Sequence, residues 1–176
     1  MPISLVGSEM CIRDSLLDRD PLNIGPIGVT GSNSANTIAN KADLIIAVGT
    51  RLQDFTTGSW TVFSMDSKFI SINAARHDAT KHLSLPIVGD AKLALTILSK
   101  ACSGLKASSE WMSFAQDERK KWDAYVSDNI SVVNNRPNSY AQAIGVVNAI
   151  CEQRDRIVAA AGGLPAEVTA NWRTLD

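Results

Sequence analysis

Residues 44–48 read Leu-Ile-Ile-Ala-Val, a continuous apolar run between two glycine-bearing loops. An unbroken apolar run of this length is typical of a strand covered on both faces, which parallel sheets require. The preceding loop (25–31, GPIGVTG) leads into a predicted short helix over 34–41, and the following loop (49–60) carries two more glycines. This order indicates an open α/β sheet, in which loops at the carboxyl ends of the strands bring backbone N–H groups to a ligand.

Two further strands and a helix follow with short connections. The runs 69–73 (FISIN) and 85–88 (LPIV) predict a second and a third strand. Asp90 is a suitable cap for a helix over 91–101. The predicted fold class is therefore α/β, with a parallel, Rossmann-like sheet.

The composition changes after residue 104. Residues 102–108 are small and polar, which marks a boundary, and a charged, aromatic helix is predicted over 109–126. Its aromatic residues are spaced so that several share one helical face: Trp111, Phe114, Trp122 and Tyr125. We interpret this stripe as a packing surface rather than a ligand site.

The last part of the sequence predicts a βα unit. A capping box at residues 139–142 (S-x-x-Q) precedes an apolar helix over 140–151. A final strand over 157–160 runs into the glycine pair 162–163, and a helix is expected from residue 166 onward. The predicted elements therefore end in the middle of a βα unit.

Charge and cysteine content narrow the classes of partner. Seventeen basic and eighteen acidic side chains give a formal net charge of −1, so no general attraction to nucleic acid or anionic lipid is expected, and a small-molecule partner is favoured. No apolar run approaches the roughly 18 residues of a membrane span. The three cysteines are far apart and form no CxxC pair, which favours a reducing, cytoplasmic location: Cys11, Cys102 and Cys151.

Residues 1–15 are set apart from the rest of the sequence. The string MPISLVGSEMCIRDS resembles the translation of sequencing-adapter DNA and shows neither a helical nor a strand period. We expect these residues to be a non-native leader. The alternative is a natural, poorly ordered leader.

Four short strings resemble the thiamine-diphosphate enzymes of the acetolactate-synthase type. They lie at residues 27–31 (IGVTG), 42–44 (ADL), 49–51 (GTR) and 88–91 (VGDA). The resemblance covers residues 21 to about 173 and implies three segments. Residues 16–104 would be the C-terminal half of the central domain, residues 105–138 a linker helix region, and residues 139–176 the start of the C-terminal, cofactor-binding domain.

Longer strings point to one branch of that family. Residues 25–32 (GPIGVTGS), 48–60 (VGTRLQDFTTGSW) and 160–165 (AAGGLP) are similar to hydrolases that open the ring of a cyclic 1,2-diketone in inositol breakdown. This resemblance implies an enzyme that uses thiamine diphosphate and Mg²⁺, as a homo-oligomer (dimer or tetramer). The alternatives are another acetolactate-synthase-like lyase or synthase, or a non-catalytic nucleotide-binding module of Rossmann type, whose full G-x-G-x-x-G fingerprint is missing.

The resemblance also implies which residues approach the cofactor. Gly162 and Gly163 stand between a strand and a helix, where the family's last domain lets backbone approach the diphosphate. Leu164 replaces a side chain that is often polar in related enzymes, so its contact would be through the backbone. Glu167 is interpreted as a favourable charge on the first helical turn. The activating glutamate and the metal-binding G-D-G…N loop are not found here, so we assign no catalytic residue and no metal ligand, and expect the chain to be inert alone.

Arg51 and the glycines of the central segment have two interpretations each. Arg51 could face an anionic ligand at a strand end, as the matching arginine does beside the flavin of flavin-binding relatives. FAD is therefore possible but not favoured, and the preferred interpretation is that Arg51 pairs with Asp54 to pin the loop. Turns with positive φ, rather than phosphate contact, are the preferred role of four glycines: Gly28, Gly31, Gly49 and Gly58.

The string from His77 to His82 (H-D-x-x-x-H) resembles a metal motif only superficially. Its i, i+5 spacing places the two rings on different helical faces, and no second carboxylate cluster accompanies it. We expect a solvated loop.

Overall fold

A computed structural model of the chain describes residues 20–133, 136–152, 154–158 and 162–173, so the predicted leader 1–15 lies outside the described residues. The first half contains α1 (Asn33–Lys41), β1 (Leu44–Val48), α2 (Asp54–Thr57), β2 (Lys68–Asn73), α3 (Arg76–Ala79), a 3-10 helix (Lys81–Leu83), β3 (Leu85–Val88) and α4 (Ala91–Ala101). The second half is helical where it is described, with α5 (Ser109–Ile130), α6 (Tyr140–Ile150) and α7 (Gly163–Asn171).

The three strands form one parallel sheet in the order β1-β2-β3. Leu44 lies opposite Lys68, and Ile70 lies opposite Leu85. Ile72 in the central strand is fully buried, as expected for a parallel strand covered on both faces. The α/β class and the parallel sheet are therefore confirmed.

Side chains cap α1 and α4, the second at the predicted residue, Asp90. Ser32 Oγ accepts a hydrogen bond from Ala35 N at 3.1 Å, and Asp90 Oδ1 accepts one from Leu93 N at 2.9 Å. Such caps satisfy N–H groups that the first helical turn leaves without partners. These short polar residues therefore set where α1 and α4 begin.

Helix α5 joins the sheet-containing part of the chain to the helices that follow. Ile24 and Ile38 pack with Ala115 of α5 in one buried cluster, and Trp111 and Phe114 cover it. The predicted packing role of the aromatic stripe is correct for these two residues. The helix is longer than predicted and ends at Ile130 instead of residue 126.

Two features of the C-terminal segment differ from the prediction. Ile157 and Val158 are not in a strand, and Val158 is 94% exposed, while residues 159–161 lie outside the described residues. A strand is stable only beside a hydrogen-bonded neighbour, and no segment in the described part of the chain pairs with this one. The capping box is also altered, because Gln142 Oε1 accepts from Asn138 N at 2.8 Å, one residue before the cap Ser139.

The outer side of the sheet beyond β3 is apolar and exposed. Leu85 is 63% exposed and Val88 51%, and no residue of α4 is buried. In a parallel ladder, the backbone N–H and C=O groups of every second residue face the same neighbouring strand. Gly89 N donates to Asn73 O, so the backbone groups of residues 85 and 87 face β2 and those of Pro86 face away from it. The exposed edge of β3 therefore carries a residue without an N–H group.

None of the helices in the described part of the chain has both the length and the hydrophobicity needed to cross a membrane.

Candidate functional site

The carboxyl ends of the three strands form an open surface, which we call the ledge (residues 49–51, 73 and 89). Gly49 follows β1 with φ +66°, Gly89 follows β3, and no atom lies within 4 Å of the position that a Cβ would take at either residue. Asn73 ends β2, where its Nδ2 donates to Thr50 O at 3.0 Å and its Oδ1 accepts from Ala75 N at 2.9 Å. Asn73 thus fixes the loop that follows each of two strands, which sequence reasoning did not anticipate.

Arg51 lies on this ledge, but its partner is not the predicted one. Among the described residues no ion pair joins Arg51 to Asp54, so the preferred interpretation was wrong in its partner. With the Gln53 amide turned so that its oxygen faces the guanidinium, Arg51 donates to it from Nε at 3.0 Å and from Nη2 at 2.5 Å. Asp54 instead begins α2, and its backbone carbonyl accepts from Gly58 N at the end of that helix. The side-chain amide of Gln53 therefore holds Arg51 without neutralising its charge.

A second cation, Lys81, reaches the same loop from the 3-10 helix that follows α3. Lys81 Nζ pairs with Asp78 Oδ1 at 2.5 Å and donates to the backbone carbonyl of Arg51 at 3.4 Å. The hydrogen bond from Lys81 lowers the pKa of Asp78 below its ordinary value of 3.8, with smaller contributions from the charges of Lys81, His77 and Arg51. The carboxylate of Asp78 therefore stays ionised beside the ledge.

The glycine loop 25–31 packs on the loop that follows β1. Val29 N donates to Phe55 O at 2.8 Å, and a Cβ on Gly28 (φ +109°) would lie 2.2 Å from that same oxygen. A Cβ on Gly31 would lie 2.5 Å from Pro26 O. Close backbone contact therefore explains both glycines, and the predicted positive φ is found at Gly28 but not at Gly31.

The predicted interpretation of His77 and His82 is correct in part. Both side chains are exposed, and no group of three or more His, Cys, Asp or Glu residues in the described part of the chain could hold a metal ion. The segment is not a plain loop, because His77 belongs to α3 and His82 lies in the 3-10 helix. The His82 ring lies 3.7 Å from that of Trp60, between centroids, and partial desolvation, followed by the positive charge of Lys81, lowers the pKa of His82 from 6.5.

The glycine pair forms the entry to α7. Gly162 precedes the helix with φ +144°, a conformation that favours glycine, and it offers no side chain to cap the helix. The N–H groups of Gly162, Gly163 and Leu164 have no acceptor inside an α-helix, and Pro165 carries no N–H group. No atom lies within 4 Å of the Cβ position of Gly163. The turn thus presents accessible backbone donors at a helix N-terminus, which is a suitable geometry for an anion.

Glu167 does not belong to that entry. Because α7 begins at Gly163 rather than residue 166, Glu167 lies in its second turn, and the predicted helix-start role is wrong. Its carboxylate instead accepts a hydrogen bond from Asn171 Nδ2 at 3.0 Å. The negative charge is thereby directed away from the glycine pair.

The sequence of the ledge and of the segment before it matches a known family. Residues 6–98, more than half of the chain, match the model of the thiamine pyrophosphate enzyme central domain. The chain belongs to the thiamine pyrophosphate enzyme family. Thiamine pyrophosphate is thiamine diphosphate under its other name, so the expected family is confirmed.

Three similar relatives of this thiamine pyrophosphate enzyme chain share one name. A 3D-(3,5/4)-trihydroxycyclohexane-1,2-dione hydrolase of Clostridium botulinum is 29% identical over 96% of the chain. Proteins of the same name from Bacillus thuringiensis and Bacillus anthracis are 31% identical over 94% of it. The chain spans about 30% of the length of these relatives.

The family match places the ledge in the central domain and leaves the glycine pair beyond its end at residue 98. The two candidate sites of this thiamine pyrophosphate enzyme chain therefore belong to different segments. Gly162, Gly163 and Leu164 lie together at one helix entry, whereas Arg51 lies on the sheet ledge. The structure does not bring Arg51 into contact with α7 among the described residues.

Proposed function

We propose that this chain is part of a thiamine-diphosphate-dependent hydrolase that opens the ring of trihydroxycyclohexane-1,2-dione to 5-deoxy-glucuronate in inositol catabolism. The observation that carries the proposal is the shared name of relatives that match 94–96% of the chain. The formal net charge of −1 predicts no general attraction to nucleic acid or anionic lipid, which is compatible with a small-molecule substrate. We propose a cytoplasmic, homo-oligomeric parent on the same grounds.

The entry to α7 is the part of this chain that we assign to the cofactor. A diphosphate is a compact anion, and it fits a turn where backbone N–H groups point outward and no side chain fills the space above Gly163. Gly162 and Gly163 would supply donors and close approach, and Leu164 would contribute its N–H group. The positive end of the α7 dipole favours the same negative charge.

Thiamine diphosphate, when bound, supplies the electron sink for breaking a carbon–carbon bond beside a carbonyl group. The residues of this chain orient the diphosphate end only. No metal-binding group of side chains occurs within the described residues, so the proposal assigns no Mg²⁺ ligand to this chain. We therefore expect the 176-residue chain to be inert alone.

A chimera tests the proposal. Residues 20–173 of this chain would replace the segment that they match in the Clostridium botulinum hydrolase. With thiamine diphosphate and Mg²⁺, the chimera is expected to open the diketone ring, while the 176-residue chain yields no product. A folded, cofactor-binding chimera that converts pyruvate to acetolactate instead would favour another synthase, and activity of the chain alone would contradict the proposal.

A second candidate function, nucleotide binding by the ledge, is favoured by one observation. Gly49 and Gly89 have open space where β1 and β3 end, Arg51 lies in the loop after β1, and open α/β sheets bind nucleotides at the carboxyl ends of their strands. Thermal unfolding of the chain with FAD, NAD or thiamine diphosphate separates the candidates. We expect neither FAD nor NAD to raise the melting temperature, and an FAD-dependent rise that Arg51→Gln abolishes would establish the second function.

A further inference from the structure

One acidic side chain in α5 contacts two arginines from different parts of the chain. Arg119 Nε donates to both carboxylate oxygens of Asp123, at 3.0 Å and 2.9 Å. Arg173 Nη2 reaches the same carboxylate at 3.3 Å from the residues that follow α7. The Asp123 carboxylate thus accepts hydrogen bonds from two arginines that are 54 positions apart in sequence (173 − 119).

Each arginine is anchored at its other end. Arg119 Nη1 donates to the carbonyl of Asn23, whose side chain accepts from Gly25 N at 3.0 Å, so this end leads to the glycine loop 25–31. The backbone of Arg173 is held by α6, because Asn148 accepts from Arg173 N at 2.8 Å and donates to Arg173 O at 2.8 Å. A continuous polar chain therefore runs from the glycine loop through α5 to the C-terminal end of α7.

We propose that Asp123 is a positioning residue that holds α7, and with it the Gly162–Gly163 turn, in a fixed relation to the sheet. Helix α7 has nine residues, about 13 Å at the rise of an α-helix, and moves as one rigid piece. Fixing its C-terminal end at two points, Asp123 and Asn148, restricts the pivoting of its N-terminal end. The effect on the cofactor rests on the proposed function, whereas the coupling itself does not.

Partial burial of the two arginines gives these contacts more weight than the Lys120–Asp117 pair of α5. The side chains of Arg119, Arg173 and Asp123 are 17%, 29% and 45% exposed, whereas those of Lys120 and Asp117 are 75% and 63% exposed. Exposed pairs of that kind contribute little. Removing the Asp123 carboxylate would take away the contact that Arg119 and Arg173 share.

Hydrogen exchange of the 176-residue chain without cofactor tests the coupling. Arg119 does not contact α7 among the interactions of the described residues, so a purely local role would confine the effect of Arg119→Gln to α5 and the loop near Asn23. The proposal predicts that Arg119→Gln and Asp123→Asn each accelerate exchange in α7 about threefold or more. Lys120→Gln is the matched control and leaves α7 unchanged.

Exchange in α7 of Arg119→Gln that equals the Lys120→Gln control would overturn the proposal, and so would a uniform acceleration across the sheet. If Arg119→Gln loses helix content, the coupling is tested instead with Arg173→Gln, at the opposite end of the polar chain. This substitution is expected to accelerate exchange at Gly25, and an unchanged Gly25 would refute the coupling. A failure here leaves the cofactor proposal standing, since thiamine diphosphate binding is measured separately in the chimera.

Discussion

Gly28 and the side chain of Asn36 form a closed pair of hydrogen bonds. Gly28 N donates to Asn36 Oδ1, and Asn36 Nδ2 donates to Gly28 O, both at 2.9 Å. The pair holds the glycine loop against Phe55, the residue whose carbonyl oxygen lies closest to the Cβ position of Gly28. The start of α1 and the loop after β1 are thereby joined through one glycine.

Gly28→Ala is expected to destabilise the fold strongly. The new Cβ would clash with the Phe55 carbonyl in a backbone conformation that favours glycine, and the two costs together are about 3 kcal/mol. Denaturant unfolding measures the change. Gly89→Ala, at a glycine with open space and no positive φ, is the matched control and is expected to stay within about 0.5 kcal/mol of the original chain. Equal effects of the two substitutions would contradict this account.

Gly145→Ala tests the crossing of α5 and α6. A Cβ there would lie 2.7 Å from Ile130 Cβ and 2.8 Å from Ile130 O. Alanine gains about 1 kcal/mol of intrinsic helix stability over glycine, but the clash with backbone costs about 1–3 kcal/mol, so we expect a net loss. Thermal unfolding checks the sign. Ser113→Ala, on the exposed face of α5, is the control, and a stabilising Gly145→Ala would show that the helices can separate.

His82 gives stability a defined pH dependence. Partial desolvation, followed by the positive charge of Lys81, lowers the pKa of His82 in the folded chain below 6.5, so the unfolded chain takes up this proton first as the pH falls. The contribution of His82 is therefore present above pH 6.5 and declines as the pH falls through its lowered pKa. Melting temperatures of the original chain and His82→Asn between about pH 5 and 8 should converge toward low pH. A pH-independent difference would contradict the assignment.

Pro86 is expected to protect the outer edge of the sheet. Valine there would restore an outward N–H group on an exposed apolar strand, which favours strand addition between molecules. Light scattering of Pro86→Val at low micromolar concentration should show larger species than the original chain. Pro137→Val, outside the strands, is the control. Unchanged scattering for Pro86→Val would show that this edge is covered in solution.

Much of the fold could be predicted because its signals are local. The continuous apolar run of β1 and the caps of α1 and α4 depend on adjacent residues, and these elements have the predicted bounds to within a residue. The strand predicted over 157–160 depends on a neighbour that sequence periodicity cannot supply. At Ile157 and Val158 the structure shows no strand.

The candidate sites were less predictable because their partners are distant in sequence or ambiguous in type. Arg51 was expected to pair with the nearest carboxylate, but the nearer amide of Gln53 takes that place. The contact of Arg173 with Asp123 spans 50 positions (173 − 123) and leaves no local pattern. The glycine pair stands at a helix start as predicted, but the helix begins at Gly163 rather than residue 166, and its contact with the cofactor stays a prediction.

The affinity of the chimera for thiamine diphosphate, measured with Gly163→Ala, tests the central claim most directly. Gly163 and Gly89 both have open space at the Cβ position, and neither has a positive φ, so alanine at either should leave the fold intact. The account predicts that Gly163→Ala raises the dissociation constant at least about tenfold, because a methyl group keeps the diphosphate from the backbone, while Gly89→Ala does not. Equal affinity in both variants would contradict the claim that this turn holds the cofactor.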